Sequence, residues 1–226
     1  MALLQILLQV QVAVENAQPE GLSVIGLLIK GGPIMIPIIL LSMVSVYLFI
    51  ERSVFISKTG RIDPNLVNNV KDMLLREDIK GAIVYCERSS SPFSSIVHKG
   101  LTRLGSPIRD IESAVENTAR VEVYKMEKNV NLLAAIAALA PMFGFLGTVI
   151  GMMITFYNLS VSDNISIANI ADGIYVKMVT SASGLIVGVL AYIFYTYLNA
   201  RIERVVNKME VTAIDFLDIL YKPASK

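Results

Sequence analysis

The sequence predicts an all-α integral membrane protein: three transmembrane helices, two of them extended into long cytoplasmic helices, plus small cytoplasmic helices. Three observations carry this. Of 226 residues, 54% are hydrophobic and only 17% charged, with mean hydropathy +0.59, far more apolar than a soluble domain. The charges are absent from three runs: 20 residues from Gly31 to Ile50, 34 from Asn129 to Ser162 and 23 from Met178 to Ala200. About 20 apolar residues are enough to cross a bilayer as a helix. Lys and Arg are also lopsided: none in residues 1–29 or 159–170, 13 in residues 51–130 and 5 in residues 201–226. Cytoplasmic loops carry the positive excess, so the N-terminus and the second loop are expected outside, and the other two segments in the cytoplasm.

Taken in order, residues 1–20 read as an amphipathic helix on the outer, periplasmic membrane surface. The run MALLQILLQVQVAVE is apolar, but Gln5, Gln9 and Gln11 interrupt it, and it lacks a basic start and a small-residue cleavage site. The first transmembrane helix is expected over 24–50 and a cytoplasmic helical region over 51–130. In that region Asp63-Pro64, Ser91-Pro92 and Ser106-Pro107 read as helix starts, a capping residue followed by Pro at the first helical position. After Pro107, apolar residues recur at Ile108, Ile111, Val115, Ala119, Val123, Met126 and Val130, one face of a helix. Nothing in the pattern breaks it before the second span, 131–158. One helix over about 107–159 would be roughly 80 Å long. A short periplasmic turn follows at 159–167, then the third span at 168–199. Ile202, Val205, Met209, Ala213, Phe216 and Leu220 continue it as an amphipathic cytoplasmic helix over 200–226. This stripe needs cover from the 107–130 helix, the small helices or another subunit.

Inside the spans, small residues mark close packing. Gly144, Gly147 and Gly151 lie in the second span, Gly184 and Gly188 in the third, and two pairs match the G-x-x-x-G spacing. Hydroxyls cluster as well: Thr148 and Thr155 in the second span, Thr180, Ser181 and Ser183 in the third. Each could bond its own helix carbonyl; together they could line a polar seam. Lys177 stands about two turns into the third span, on a face shared with Gly173, Ser181 and Gly184. An ionisable residue there is a functional candidate unless it snorkels to the headgroups. No Asp or Glu lies deep in any span. If protons pass, a partner must supply the titrating acid.

GGPIMIPIILLS (31–42) with Glu51-Arg52, APMFGFLGTVIGMM (140–153) and GIYVKMVTSASGLIVG (173–188) resemble, in order, the three spans of the ExbB/TolQ/MotA proton-channel family. Three spans with a modest cytoplasmic segment resemble the ExbB or TolQ branch, and ExbB most. The resemblance implies five copies around a dimer of single-span partners of the ExbD/TolR type, whose membrane Asp carries protons. It also implies a TonB-like protein that takes the work to the outer membrane, in the bacterial inner membrane. By resemblance the second-span threonine of the motif falls on Thr148 and the third-span hydroxyl on Ser181. Many ExbB proteins carry Glu three residues after the glycine matching Gly173; here that position is Val176, followed by Lys177. The expected ion pathway is therefore Thr148, Ser181, Thr155, Thr180 and Lys177.

Other classes are disfavoured. The net charge of +1 marks no nucleic-acid binding. One His, one Cys and no Trp leave little for metal or Cys/His chemistry, and no nucleophile–base–acid set is visible, so neither an enzyme nor a cofactor is expected. The glycines at 144, 147 and 151 lie in a span and form no phosphate loop. Alternatives to the ExbB-like motor are a TolQ-like or gliding-type motor subunit, or an oligomeric membrane scaffold without ion flux.

Overall fold

The structure, a computed structural model, describes residues 32–60, 63, 65–89, 91–161 and 167–221, with the side chains of 167–169, 172 and 176 outside the description. The helix expected over 1–20, the start of the first span and the turn at 162–166 also lie outside the described residues. The described residues form α1 (Met35–Thr59), α2 (Leu66–Leu75), α3 (Ile79–Arg88), α4 (Pro92–Leu101), α5 (Ile108–Glu127), α6 (Val130–Ser160) and α7 (Ile167–Tyr221). Three stretches are long and apolar enough to cross a membrane: Met35–Thr59, Ile108–Ser160 and Gly173–Tyr221. The chain is an all-α, multi-pass membrane protein, with the second and third of these helices extended well past membrane thickness.

The chain divides into two compact units. The larger comprises Leu40–Ala140 and Ile186–Lys226. Its core is built from the two stripes read above. Ile111, Val115, Met126 and Val130 are buried, as are Ile202, Val205, Met209 and Phe216. Phe93, Ile96, Val97 and Leu101 of α4 complete it. Gly100 is the contact point: a methyl group there would strike the Phe216 ring and lie 3.1 Å from Val115 Cγ2. At the other end of the unit Phe49 of α1 stacks on Phe194 of α7, ring centroids 4.2 Å apart. The amphipathic stripes thus find partners within one chain, which buries their apolar area at about 25 cal/mol per Å2.

Helix starts follow the sequence only in part. Ser91 caps α4 by accepting the Ser94 N–H, with Pro92 in the first turn. The two other Pro-marked starts are corrected. Helix α2 begins at Leu66 with Asn65 at the cap position, and α5 begins after Pro107, which has no side-chain acceptor to make a cap bond. The Asp63 carboxylate instead accepts the Asn65 N–H at 3.0 Å and the Tyr85 hydroxyl at 2.8 Å, while Asn69 donates to Tyr85 at 2.9 Å. This ties the segment after α1 to α2 and α3.

The Asn65 N–H, and then the Tyr85 hydroxyl, hold the Asp63 carboxyl below its usual value of 3.8. A depressed carboxyl contributes stability that is complete above the unfolded value and fades as pH falls through the folded one. Asp63→Asn is therefore expected to lower the melting temperature at about pH 6 and to lower it less at about pH 3. Thermal melts of both proteins at both pH values check this; an equal gap at each pH would remove the charge from the account.

Cys86 is buried in α3, and burial pushes its thiol up to about 11. It behaves as a small apolar core residue. His98 stands 3.3 Å from Glu87 at the surface, an ordinary polar contact.

The helical course from 108 to 160 carries one interruption that the apolar spacing does not show. Helix α5 ends at Glu127, Lys128 is extended (φ −50, ψ 130), and Asn129 adopts φ +65 before α6 starts. The period of the stripe survives the break because Met126 and Val130 are both still buried. A periodicity test therefore passes straight over it.

Candidate functional site

The smaller unit comprises the described parts of Met1–Ile39 and Pro141–Leu185. In it α6 runs against the first half of α7, and the contact is built from glycines facing larger groups. A methyl group on Gly144 would lie 3.1 Å from the Ser181 carbonyl oxygen and 3.2 Å from Gly184 Cα. On Gly147 it would lie 2.6 Å from Thr180 Cγ2. On Gly151 it would strike the aliphatic stem of Lys177. On Gly173 it would lie 2.8 Å from Thr155 Cγ2. Positions 144, 147, 151 and 155 climb one face of α6, while 184/181, 180, 177 and 173 descend one face of α7. The two helices are antiparallel here, and glycine alternates sides: Gly151 accommodates Lys177 and Gly173 accommodates Thr155. In lipid, where there is no hydrophobic drive between helices, such close approach is what holds them together.

The polar groups sort by this geometry. Thr180 is fully buried against Gly147. Thr155 donates to the Gly151 carbonyl at 2.9 Å while its methyl covers Gly173. Ser183 donates to the Val179 carbonyl at 2.9 Å. Thr148 and Ser181 lie beside the contact and are each half-buried; Thr148 donates to the Phe145 carbonyl at 2.6 Å. A hydroxyl that donates to its own helix keeps its oxygen lone pairs as acceptors. Lys177 is half-buried with its stem on Gly151, so its lower carbons are a packing element whatever its ammonium does. Gly188, read with these residues in the sequence, is buried but belongs to the larger unit. The side chains of Asp172 and Val176 lie outside the described residues.

No Asp or Glu occurs between 130 and 160 or between 173 and 200. Among the described residues no group of three or more His, Cys, Asp or Glu could hold a metal. The pairing of Gly173 with Thr155 is not marked by residue spacing. A small residue one helical repeat before Lys177 was the available signal.

The contrast between Gly144 and Gly151 yields a prediction. At Gly144 the neighbours are backbone atoms, which cannot step aside; at Gly151 they belong to a flexible side chain. Gly144→Leu is expected to cost about 1–3 kcal/mol or more by overpacking. Gly151→Ala is expected to be milder, and Lys177→Ala in the same chain should relieve it. Melting temperatures of the single and double variants in detergent check this. Additive losses at 151 and 177 would show that the two do not touch.

Among the described residues, most of each apolar span is not covered within one chain. Within the most apolar windows of the three spans only 22%, 28% and 22% is buried. In the larger unit a groove of about 670 Å3 also runs between α5 and α7, floored by Val115, Ala119, Val123, Met209 and Ala213.

Three helices are thus long and apolar enough to cross a membrane, and two of them pack closely through small residues beside neutral hydroxyls. The chain belongs to the MotA/TolQ/ExbB proton channel family, whose model matches residues 88–211, more than half of its length. An ExbB homolog of Methanothermobacter thermautotrophicus is 30% identical over 177 residues, 76% of this chain and 62% of that protein. The chain thus spans under two thirds of that relative. The Tol-Pal system protein TolQ of Pseudomonas aeruginosa is 29% identical over 50% of this chain and 52% of its own. The biopolymer transport protein ExbB of Neisseria meningitidis is 23% identical over 82% of this chain and 91% of its own.

Proposed function

We propose that this chain is an ExbB-like subunit of a motor in the bacterial inner membrane, driven by the proton motive force. Five copies enclose a dimer of an ExbD/TolR-like single-span protein, and the complex energises a TonB-like protein for outer-membrane transport. The N-terminus lies in the periplasm and the C-terminus in the cytoplasm, the residues 51–130 and 200–226 forming the cytoplasmic part. The observation that supports this most is the hydroxyl pair Thr148 and Ser181 beside a glycine-locked helix pair that lacks any deep carboxylate. A proton path along such a seam is expected to use an acid brought by a partner. The groove between α5 and α7 and the largely uncovered spans supply surface for neighbouring copies. Lys177 sits toward the outer end of the pathway, where it sets local charge or pairs with a partner acid.

The test is reconstitution. The chain is co-expressed with its single-span neighbour, placed in liposomes, and proton flux is measured under an imposed gradient. Flux that requires the partner supports the motor subunit. A stable complex that conducts nothing, even with the TonB-like protein added, would favour a scaffold. Lys177→Met is expected to impair energy transduction while leaving assembly intact; full activity in that variant would remove Lys177 from the pathway. A TolQ-like role is the second reading, favoured by the TolQ relative, and an in vivo assay of envelope integrity against outer-membrane uptake separates the two.

A further inference from the structure

The larger unit contains a buried cation that the ion pathway does not use. Arg52, near the end of α1, is 6% exposed. Its Nε donates to Glu51 at 2.9 Å, and its guanidinium carbon lies 5.3 Å from the centre of the Phe55 ring. Its Nη1 reaches 73 residues along the chain and donates to the Lys125 carbonyl at 3.3 Å.

That carbonyl lies one turn before the break in the second long helix. In a continuous helix it would accept the N–H of Asn129, four residues on. Here the chain turns out of the helix at Lys128, whose N–H still reaches the Tyr124 carbonyl at 3.0 Å. Asn129 then takes φ +65, a left-handed conformation that Asn tolerates far better than most residues. Its own carbonyl accepts from Leu132 at 3.2 Å as α6 begins. The Lys125 carbonyl therefore has two alternative donors. One is Arg52, when the helix is broken. The other is Asn129 N–H, when it is continuous. A positive group at the last turn of α5 is also favourable toward that helix's negative end.

We propose that Arg52 and Asn129 form a latched joint. Arg52 holds the broken form of the 108–160 helix by satisfying the carbonyl that a continuous helix would reclaim. Arg52 is then a positioning residue. It ties the end of the first membrane helix to the point where the cytoplasmic helix α5 hands over to α6, which carries Thr148. Release of the latch converts the joint into straight helix, a two-state element at the foot of the second membrane helix. The proposal does not depend on the chain conducting protons.

The experiment is amide hydrogen exchange on the full chain in nanodiscs, read at residues 129–131. In the wild type these amides lie at the break and are expected to exchange fast. Arg52→Gln should slow them by about tenfold or more, because the helix closes over the joint. Asn129→Ala should slow them as well, since Ala disfavours φ +65, while Asn129→Gly should match the wild type. Faster exchange in Arg52→Gln, or none of the expected slowing, would overturn the latch and leave Arg52 as a plain capping cation. Should Arg52→Gln not assemble, Asn129→Ala carries the test with Arg52 in place, and wild-type exchange in that variant overturns the proposal.

Discussion

Thr148→Val is expected to reduce partner-dependent proton flux by at least about tenfold, the rate equivalent of about 1.4 kcal/mol, while the complex still assembles. Valine keeps the shape of threonine and removes only the oxygen. The Thr148 hydroxyl already donates to the Phe145 carbonyl at 2.6 Å, so what is lost to a passing proton or water is an acceptor at a half-buried site. In a low-dielectric passage such an acceptor matters far more than in water. The measurement is acidification of dye-loaded proteoliposomes, with complex mass as the assembly control. Thr155→Val is the companion variant. Its hydroxyl is committed to Gly151 within a packed contact, so a smaller flux loss is expected there. Unchanged flux in Thr148→Val would remove this residue from the pathway.

Phe216→Ala should be the most destabilising single change in the larger unit, at about 3–5 kcal/mol for a fully buried aromatic ring. Phe216 is 0% exposed and fills the space that Gly100 leaves, against Val115. Truncation would open a cavity bounded by three helices that cannot collapse without breaking their own stripes. Far-UV circular dichroism suits the measurement, since the chain has no Trp. A variant that melts with the wild type would mean that the α4, α5 and α7 contact is dispensable.

These two positions were not equally visible in the sequence. Phe216 belongs to a stripe of period three to four, so its helix and its inward face could be read directly. Its partner could not. Nothing in the spacing says that Gly100 of α4, rather than a second subunit, would receive the ring. Thr148 was likewise visible as a hydroxyl in a span with Gly151 one turn on. That Thr155 faces Gly173, Thr180 faces Gly147 and Lys177 lies on Gly151 is a matter of register between two helices. Both helices are apolar around most of their circumference, so hydrophobic periodicity fixes no facing angle. Capping residues mislead for a similar local reason. Asp63 and Ser106 have the right chemistry, but helices start where backbone geometry first permits, two residues on in one case and after Pro107 in the other.

What could be known from residues alone was whatever depends on transfer between water and lipid. The lengths of three uncharged runs set the number of spans, and the Lys and Arg asymmetry set the expected orientation. What required the folded chain was whatever depends on which surfaces meet. The glycine-to-side-chain register of α6 on α7 is one such case. The break at Lys128–Asn129, beside which the Arg52 guanidinium reaches the Lys125 carbonyl from 73 residues away, is the other. Solvation acts on each residue by itself and is therefore written along the chain. Contact between distant segments acts on pairs, and its cost and benefit exist only once both partners are in place.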